Sequence, residues 1–319
     1  MDNKKHKSMK RFLISVFLAA GLLLLLDVAF VVGRIIVNQD EVDAAFDVPP
    51  GTEVIFIGNS HTGCTFVEAP EFRNWVLWRS SASFVLQYIR FREFERRGVL
   101  ERGVKAVVMD CDRPTMNGCC FDGIRYDMKG TYPCSWRYLT QMPMSMLSLV
   151  SEILLYSNRN FWLRESPPAD SIDWVTRMNG WTKEERDYYL RQEEEDGGSA
   201  RNDWESEDVF PKDWQTCVYK MLLDMKARCE KHGVRLILFA APVSSQSADR
   251  TNPRVYQRIS DVAARVREMG IEYYDFRTAC PDNQFRDAGH LLRRSAYDFT
   301  KKFYAEVLKL PVGELWSIE

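Results

Sequence analysis

The sequence predicts an α/β domain with a mostly parallel sheet, preceded by one transmembrane helix. Five short apolar runs of strand length alternate with segments of helical periodicity, a pattern typical of a parallel sheet covered by helices on both faces. An apolar run long enough to cross a bilayer lies near the N-terminus. The 319 residues are 45% hydrophobic and 28% charged, which is the balance of a folded chain.

Charge and cysteine content narrow the function classes. The formal net charge is −2, and phosphate binding needs a basic face, so we expect no nucleic-acid partner. The first 34 residues hold six basic and two acidic residues, and the remainder holds 37 basic and 43 acidic residues. The eight cysteines include no C-x-x-C pair, which argues against a zinc ribbon. We expect neither a metal nor a cofactor.

The N-terminal segment predicts a membrane anchor. Five basic residues precede an apolar run from Phe12 to Gly33 that only Asp27 interrupts. These 22 residues, rising ~1.5 Å each, suffice for a hydrocarbon core of ~30 Å. A cleaved signal peptide is the alternative, but a cut after Ala29 would place Asp27 at the −3 position, where a small residue is needed. Asp27 either contacts a partner membrane helix or reaches water near the outer interface.

Flanking charge sets the predicted topology and domain organisation. Basic residues concentrate before the apolar run, which places the N-terminus in the cytoplasm. The predicted segments are a cytoplasmic tail at 1–11, an anchor at 12–33, a linker at 34–50 and an exported α/β domain at 51–319.

The helices and strands of the exported domain are predicted from apolar runs and from the residues that begin and end them. Gly98, Gly233 and Gly270 follow three helical segments, Pro253 opens the third, and Ser295 with Asp298 forms a capping box for the last. The predicted strands are 54–57, 74–78, 106–109, 234–241 and 271–276. The predicted helices are 83–97, 213–232, 253–269 and 295 to about 310.

A long insert interrupts the alternation at about 115–210. It lacks strand signals and contains an apolar helical stretch near 142–156, and six of the nine tryptophans lie from Trp136 to Trp214. Its tryptophans either stack on sugar rings or belong to a core. Its three cysteines, at positions 119, 120 and 134, are compatible with one disulfide in an exported protein.

Two short motifs carry candidate chemistry. Ser60 follows the first strand, at the sheet edge where ligands of parallel sheets bind. Asp287 and His290 lie three residues apart in a loop before the last helix. Serine needs a base to act as a nucleophile, and a carboxylate can orient an imidazole for that task. We predict Ser60 as nucleophile, His290 as base and Asp287 as the orienting acid. The alternatives are a turn serine, a structural loop histidine and a helix cap.

These motifs, Gly58-Asn59-Ser60-His61 and Asp287-Ala288-Gly289-His290, resemble the first and last blocks of the SGNH (GDSL-like) hydrolase superfamily. The resemblance implies a flavodoxin-like three-layer fold over about 52–310, with acyl-ester hydrolysis or acyl transfer. The Ser-His pair behind a membrane anchor is similar to the cell-envelope subgroup, which includes alginate acetylation and teichoic-acid alanylation proteins. It implies a bacterial inner-membrane location, a periplasmic or extracytoplasmic domain, and an envelope polysaccharide or lipid substrate.

The chain departs from the superfamily at the oxyanion donors. The superfamily uses a Gly after the second strand and an Asn after the third, beside the N–H of the serine. Here these blocks begin at Arg79 and Asp110 and contain neither. Ser81 and Asn117 are weak substitutes, and His61 is a candidate substrate contact. A missing oxyanion donor costs ~10²–10³ in rate.

The predicted function is an acyl-ester hydrolase or O-acyltransferase, with acetyl as the expected group, acting on an envelope glycan or lipid head group. Cys64 is a further candidate nucleophile, although free cysteines are commonly buried apolar residues. One alternative is a non-catalytic scaffold of the same fold that partners a membrane-bound O-acyltransferase. Another is a sugar-binding module built on the tryptophan-rich insert.

Overall fold

A five-stranded parallel sheet forms the centre of the domain. The computed structural model describes residues 2–37, 43–78, 82, 84–112, 184 and 212–313. The strands run in the order β2-β1-β3-β4-β5, and every neighbouring pair is parallel. They are β1 Val54–Gly58, β2 Asn74–Trp78, β3 Ala106–Asp110, β4 Arg235–Ala240 and β5 Glu272–Asp275. The predicted parallel α/β architecture is confirmed.

The central strands are mostly apolar because both faces of the sheet are covered. All five residues of β1 are buried. Its Ile55 and Ile57 belong to one hydrophobic core, and its Val54 and Phe56 belong to the core on the opposite face. A strand buried on both faces gains no stability from polar alternation, so it appears in the sequence as a continuous apolar run.

Helices lie on both faces of the sheet. We number them α1 Asp2–Val37, α2 Ser60–Thr65, α3 Phe84–Arg96, α4 Lys212–Lys231, α5 Pro253–Glu268 and α6 Arg293–Phe303. Apolar residues of α3, α4 and α5 form the core on one face, and α6 packs on the other. A short π-helical segment, Tyr304–Leu308, continues α6.

Aromatic packing fixes α6 against the chain that follows β1. Phe66 stacks on Phe56 of β1 with ring centroids 4.1 Å apart, and the ring of Phe303 in α6 lies 4.9 Å from it. The Thr300 hydroxyl of α6 accepts a hydrogen bond from Val67 N–H at 3.0 Å. This contact holds the last helix, and the loop before it, close to the carboxyl end of β1.

Two predicted boundaries differ from the structure. Part of the predicted linker packs against the domain, because the Trp75 indole donates to Ala45 O at 3.0 Å and the rings of Phe46 and Phe94 lie 5.0 Å apart. The predicted capping box at Ser295 is wrong. Helix α6 begins two residues earlier, without a side-chain cap, because the chain turns into it directly after the Phe285–Leu291 bridge.

The N-terminal segment is one continuous helix, α1, which includes the predicted tail, the predicted anchor and the first part of the linker. In the part of the chain that the structure describes, no helix combines the length and the apolar character that crossing a membrane requires. Apart from Glu184, the predicted insert with its cysteines and tryptophans lies outside the described residues, and so does the side chain of Asp27.

Candidate functional site

Ser60 lies at the carboxyl end of β1 as the first residue of α2. The preceding Asn59 caps this helix, because its side-chain oxygen accepts a hydrogen bond from His61 N–H at 2.7 Å. The sequence predicted a turn here, and the six-residue helix was missed. Asn is among the residues preferred at this capping position, so Asn59 was the available signal.

The turn that presents Ser60 requires a glycine before it. A Cβ on Gly58 would stand 1.9 Å from Thr62 Oγ1 and 2.2 Å from Asp110 Oδ2. Neither distance is compatible with a side chain at position 58. Gly58 therefore lets α2 fold back closely over the end of β1.

Asp110, the last residue of β3, holds this turn in place. One of its carboxylate oxygens accepts hydrogen bonds from Asn59 N–H at 2.7 Å and from the Thr62 hydroxyl at 2.6 Å. The other accepts from the Gln87 amide at 2.5 Å. Asp110 is fully buried, so these bonds replace its lost hydration. Sequence reasoning missed this role, although an acid at the carboxyl end of the strand beside β1 was visible.

The structure brings Ser60, His290 and Asp287 together. The Ser60 hydroxyl lies 3.0 Å from His290 Nε2, and His290 Nδ1 lies 2.8 Å from an Asp287 carboxylate oxygen. The second Asp287 oxygen accepts from the backbone N–H groups of Gly289 and His290, each at 2.9 Å. The carboxylate therefore fixes both the imidazole and the loop that carries it. Both distances lie within the hydrogen-bond reach that proton transfer needs.

The protonation states of Asp287 and His290 suit a base that acts on a serine. Burial tends to raise the pKa of Asp287, but the hydrogen bond and positive charge of His290, the Gly289 N–H and Arg286 lower it to about 2. Burial lowers the pKa of His290, the charges of His61 and Arg286 lower it further, and Asp287 opposes them. Near neutral pH, Asp287 is ionised and His290 is neutral. Nδ1 then donates to Asp287, and Nε2 accepts the serine proton.

His61 forms a second histidine–aspartate pair beside the first. Its Nδ1 lies 2.9 Å from an Asp112 carboxylate oxygen, and both residues are buried. Its ring meets the His290 ring edge-on, with centroids 5.3 Å apart. The sequence suggested a substrate contact for His61. With 8% of the residue exposed, little of the ring is open to a substrate. The pairing with Asp112 was missed.

The candidate oxyanion donors are only partly described. The N–H of Ser60 belongs to the first turn of α2, whose N–H groups lack intrahelical acceptors. Ser81 and Asn117 lie outside the described residues. Asp112, in the stretch after β3, lies against His61.

The structure supports Ser60 as the nucleophile better than it supports Cys64 or a metal site. The Cys64 sulfur lies 3.5 Å from an Arg286 guanidinium nitrogen, while both ring nitrogens of His290 have their partners in Ser60 and Asp287. Among the described residues, no group of three His, Cys, Asp or Glu side chains has an arrangement able to hold a metal ion.

No protein-family model and no curated protein matches the sequence. Among solved structures, the chain is similar to a crystal structure described as a proposed acylhydrolase from Bacteroides fragilis. The similarity covers 85% of this chain and 95% of the other, with 10% sequence identity and a TM-score of 0.41. A similarity at this identity and TM-score indicates no function for this chain.

Proposed function

We propose that the protein is a serine acyl-ester hydrolase or acyltransferase. One observation carries the proposal: the unbroken chain of hydrogen bonds from the Ser60 hydroxyl through both nitrogens of His290 to Asp287. A hydroxyl, a neutral imidazole and an ionised carboxylate in this order form the arrangement that makes serine a nucleophile.

In the first half of the reaction, Ser60 Oγ attacks the carbonyl carbon of the ester while its proton moves to His290 Nε2. The resulting tetrahedral intermediate collapses, the bond to the leaving alcohol breaks, and His290 returns the proton to the alcohol oxygen. Asp287 stays ionised and stabilises the imidazolium between these transfers. The acyl group remains on Ser60 as an ester.

In the second half, water or an acceptor hydroxyl attacks the acyl-enzyme while His290 Nε2 takes its proton. Collapse of this intermediate releases an acid or a new ester, and the proton returns to Ser60 Oγ. The same residues therefore support hydrolysis and transfer, and the acceptor decides between them.

The arrangement favours an enzyme over a scaffold that only retains the fold. A scaffold needs no neutral imidazole aligned between a hydroxyl and a carboxylate with a pKa of about 2. Groups poised in this way are typical of functional sites. The scaffold alternative requires that this alignment serve packing alone.

The cellular setting is a further part of the proposal. We place α1 in the bacterial inner membrane, with the α/β domain on the extracytoplasmic side and an acetylated envelope glycan or lipid head group as substrate. Support comes from the basic residues before the apolar run and from the exposed Phe12, Phe17, Leu18 and Leu25 of α1. The protein should resist carbonate extraction from membranes, and its domain should be digested by protease added to spheroplasts. Full release by carbonate would contradict the anchor.

Hydrolysis of p-nitrophenyl acetate by the full chain tests the chemistry. Ser60→Ala should lower kcat/KM by about 10³-fold or more, because a triad acts as a unit. Ser247→Ala is the control, because this serine also lies beyond a strand end but contacts neither His290 nor Asp287 in the described hydrogen bonds. Equal rates for wild type and Ser60→Ala would overturn the proposal.

A further inference from the structure

A buried imidazole lies directly behind the candidate base. His61 is held by Asp112 at 2.9 Å, and its ring stands edge-on to the ring of His290, at 87° with centroids 5.3 Å apart. The residue follows Ser60 in the chain, so the backbone of α2 places the nucleophile and this second histidine together. The triad itself does not use His61.

His61 also sets the shape of the loop that carries the base. A Cβ on Gly289 would stand 2.9 Å from His61 Nε2 and 3.4 Å from its Cε1. The imidazole therefore packs against the backbone immediately before His290. Any movement of the His61 ring toward that loop would displace the base.

Buried carboxylates surround His61. Burial tends to lower the pKa of His61, but the charge and hydrogen bond of Asp112, together with the charges of Asp249 and Asp110, raise it above its ordinary value. All three carboxylates belong to buried residues, so solvent screens them weakly. These groups favour a positive charge on His61.

The charged groups around His290 are of mixed sign. Burial lowers the pKa of His290, the positive charges of His61 and Arg286 act in the same direction, and Asp287 opposes them. Arg286 is exposed, and its charge is therefore screened. The charge that His61 carries when protonated is the less screened of the two, because His61 is buried.

We propose that His61 is a positioning residue that acts on His290, through its positive charge and its contact with Gly289, and keeps the base unprotonated in mildly acidic surroundings. The catalytic consequence rests on the proposed function. The effect on the protonation of His290 does not, because it follows from the geometry of the two rings.

The direct test is a titration of the histidine resonances by NMR. The chain has four histidines, so the full protein with ¹³C-labelled histidine gives a simple spectrum, and His290→Gln assigns one signal. In His61→Gln, the titration midpoint of His290 should move to higher pH, because a nearby positive charge is gone. His232→Gln is the matched control and should leave it unchanged, since His232 precedes β4 and lies toward the opposite edge of the sheet. An unchanged His290 midpoint in His61→Gln would overturn the proposal.

A second variant guards against misfolding. His61→Gln leaves Asp112 buried without its cation, whereas the double variant His61→Gln/Asp112→Asn removes both charges. The double variant should still shift the His290 midpoint upward, but by less than His61→Gln, because the nearby Asp112 anion is removed as well. A midpoint that stays at the wild-type value in the folded double variant would also overturn the proposal.

The kinetic consequence is a displaced acidic limb of the pH profile for ester hydrolysis. Removing the charge should lower kcat/KM at pH 5.5 about threefold or more beyond the loss at pH 8. A purely structural role for His61 would lower both rates equally and so contradict the proposal. The two proposals fail separately. A shifted midpoint without Ser60-dependent hydrolysis would refute the function alone, and Ser60-dependent hydrolysis with an unmoved midpoint would refute the role of His61 alone.

Discussion

Two histidine–aspartate pairs with nearly equal hydrogen-bond distances lie side by side in this molecule. The pKa of one histidine is nevertheless lowered and that of the other is raised. His290 and Asp287 are 2.8 Å apart, and His61 and Asp112 are 2.9 Å apart. The pKa of His290 lies below the ordinary value, mainly through burial, and the pKa of His61 lies above it despite burial. A carboxylate hydrogen bond of this length therefore does not by itself set the direction in which the histidine pKa is shifted.

The surroundings of each pair explain the difference. The Asp287 side chain is 33% exposed and that of Asp112 is 2% exposed, so water weakens the field of the first carboxylate more than that of the second. Asp110 and Asp249 add negative charge near His61, whereas His290 faces the positive charges of His61 and Arg286. The same pairing thus accompanies a lowered pKa in one histidine and a raised pKa in the other.

The largest expected difference between the pairs is in catalysis. His290→Gln should lower kcat/KM for p-nitrophenyl acetate at pH 8 by about 10³-fold or more, since it removes the group that takes the Ser60 proton. His61→Gln should lower it by no more than about tenfold, which is the scale of coupling through neighbouring groups. Equal losses in the two variants would show that the pairs do not have separate roles.

Replacing the two carboxylates should affect catalysis in the same order. Asp287→Asn should lower kcat about 10²–10⁴-fold, because an amide no longer fixes the tautomer that leaves Nε2 free to accept. Asp112→Asn should cost at most about tenfold at pH 8, because its partner does not exchange a proton with substrate. Steady-state kinetics on both variants, with circular dichroism to verify folding, measure this contrast. A larger loss in Asp112→Asn would reverse the assignment of the two pairs.

Contact between the pairs should give the smallest effect, and a double-mutant cycle can isolate it. Gly289→Ala places a methyl group 2.9 Å from His61 Nε2, so kcat should fall about tenfold as the His290 loop shifts. Combining it with His61→Ala removes the obstructing ring, so the alanine at 289 should cost less in that background. Costs that simply add would show that the two residues do not meet in solution.

The sequence predicted the first pair and missed the second for a physical reason. Asp287 and His290 are three residues apart on one turn, so their pairing is local and visible as a motif. His61 and Asp112 lie 51 residues apart and meet only because β1 and β3 are neighbours in the sheet. No pattern of residue types predicts the contact between His61 and Asp112 before the strand order is known.

The strands and helices show the same difference between local patterns, which the sequence displays, and tertiary contacts, which it does not. The central strands β1, β3 and β4 lie close to their predicted bounds, because each is mostly an apolar run buried on both faces. Helix α2 has six residues and includes two β-branched threonines and Gly63, so it lacks the apolar periodicity that marks a helix. Packing over Asp110, which binds Thr62 and the Asn59 backbone, supports it instead.

Covalent labelling of Ser60 tests the central claim most directly. A fluorophosphonate probe reacts with a serine only where a base removes the hydroxyl proton, and the adduct can be located by peptide mass spectrometry. We predict an adduct on Ser60 in the full-length wild type and in His232→Gln, and none in His290→Gln. Wild-type protein that is folded yet carries no adduct on Ser60, or an adduct that persists in His290→Gln, would contradict the account.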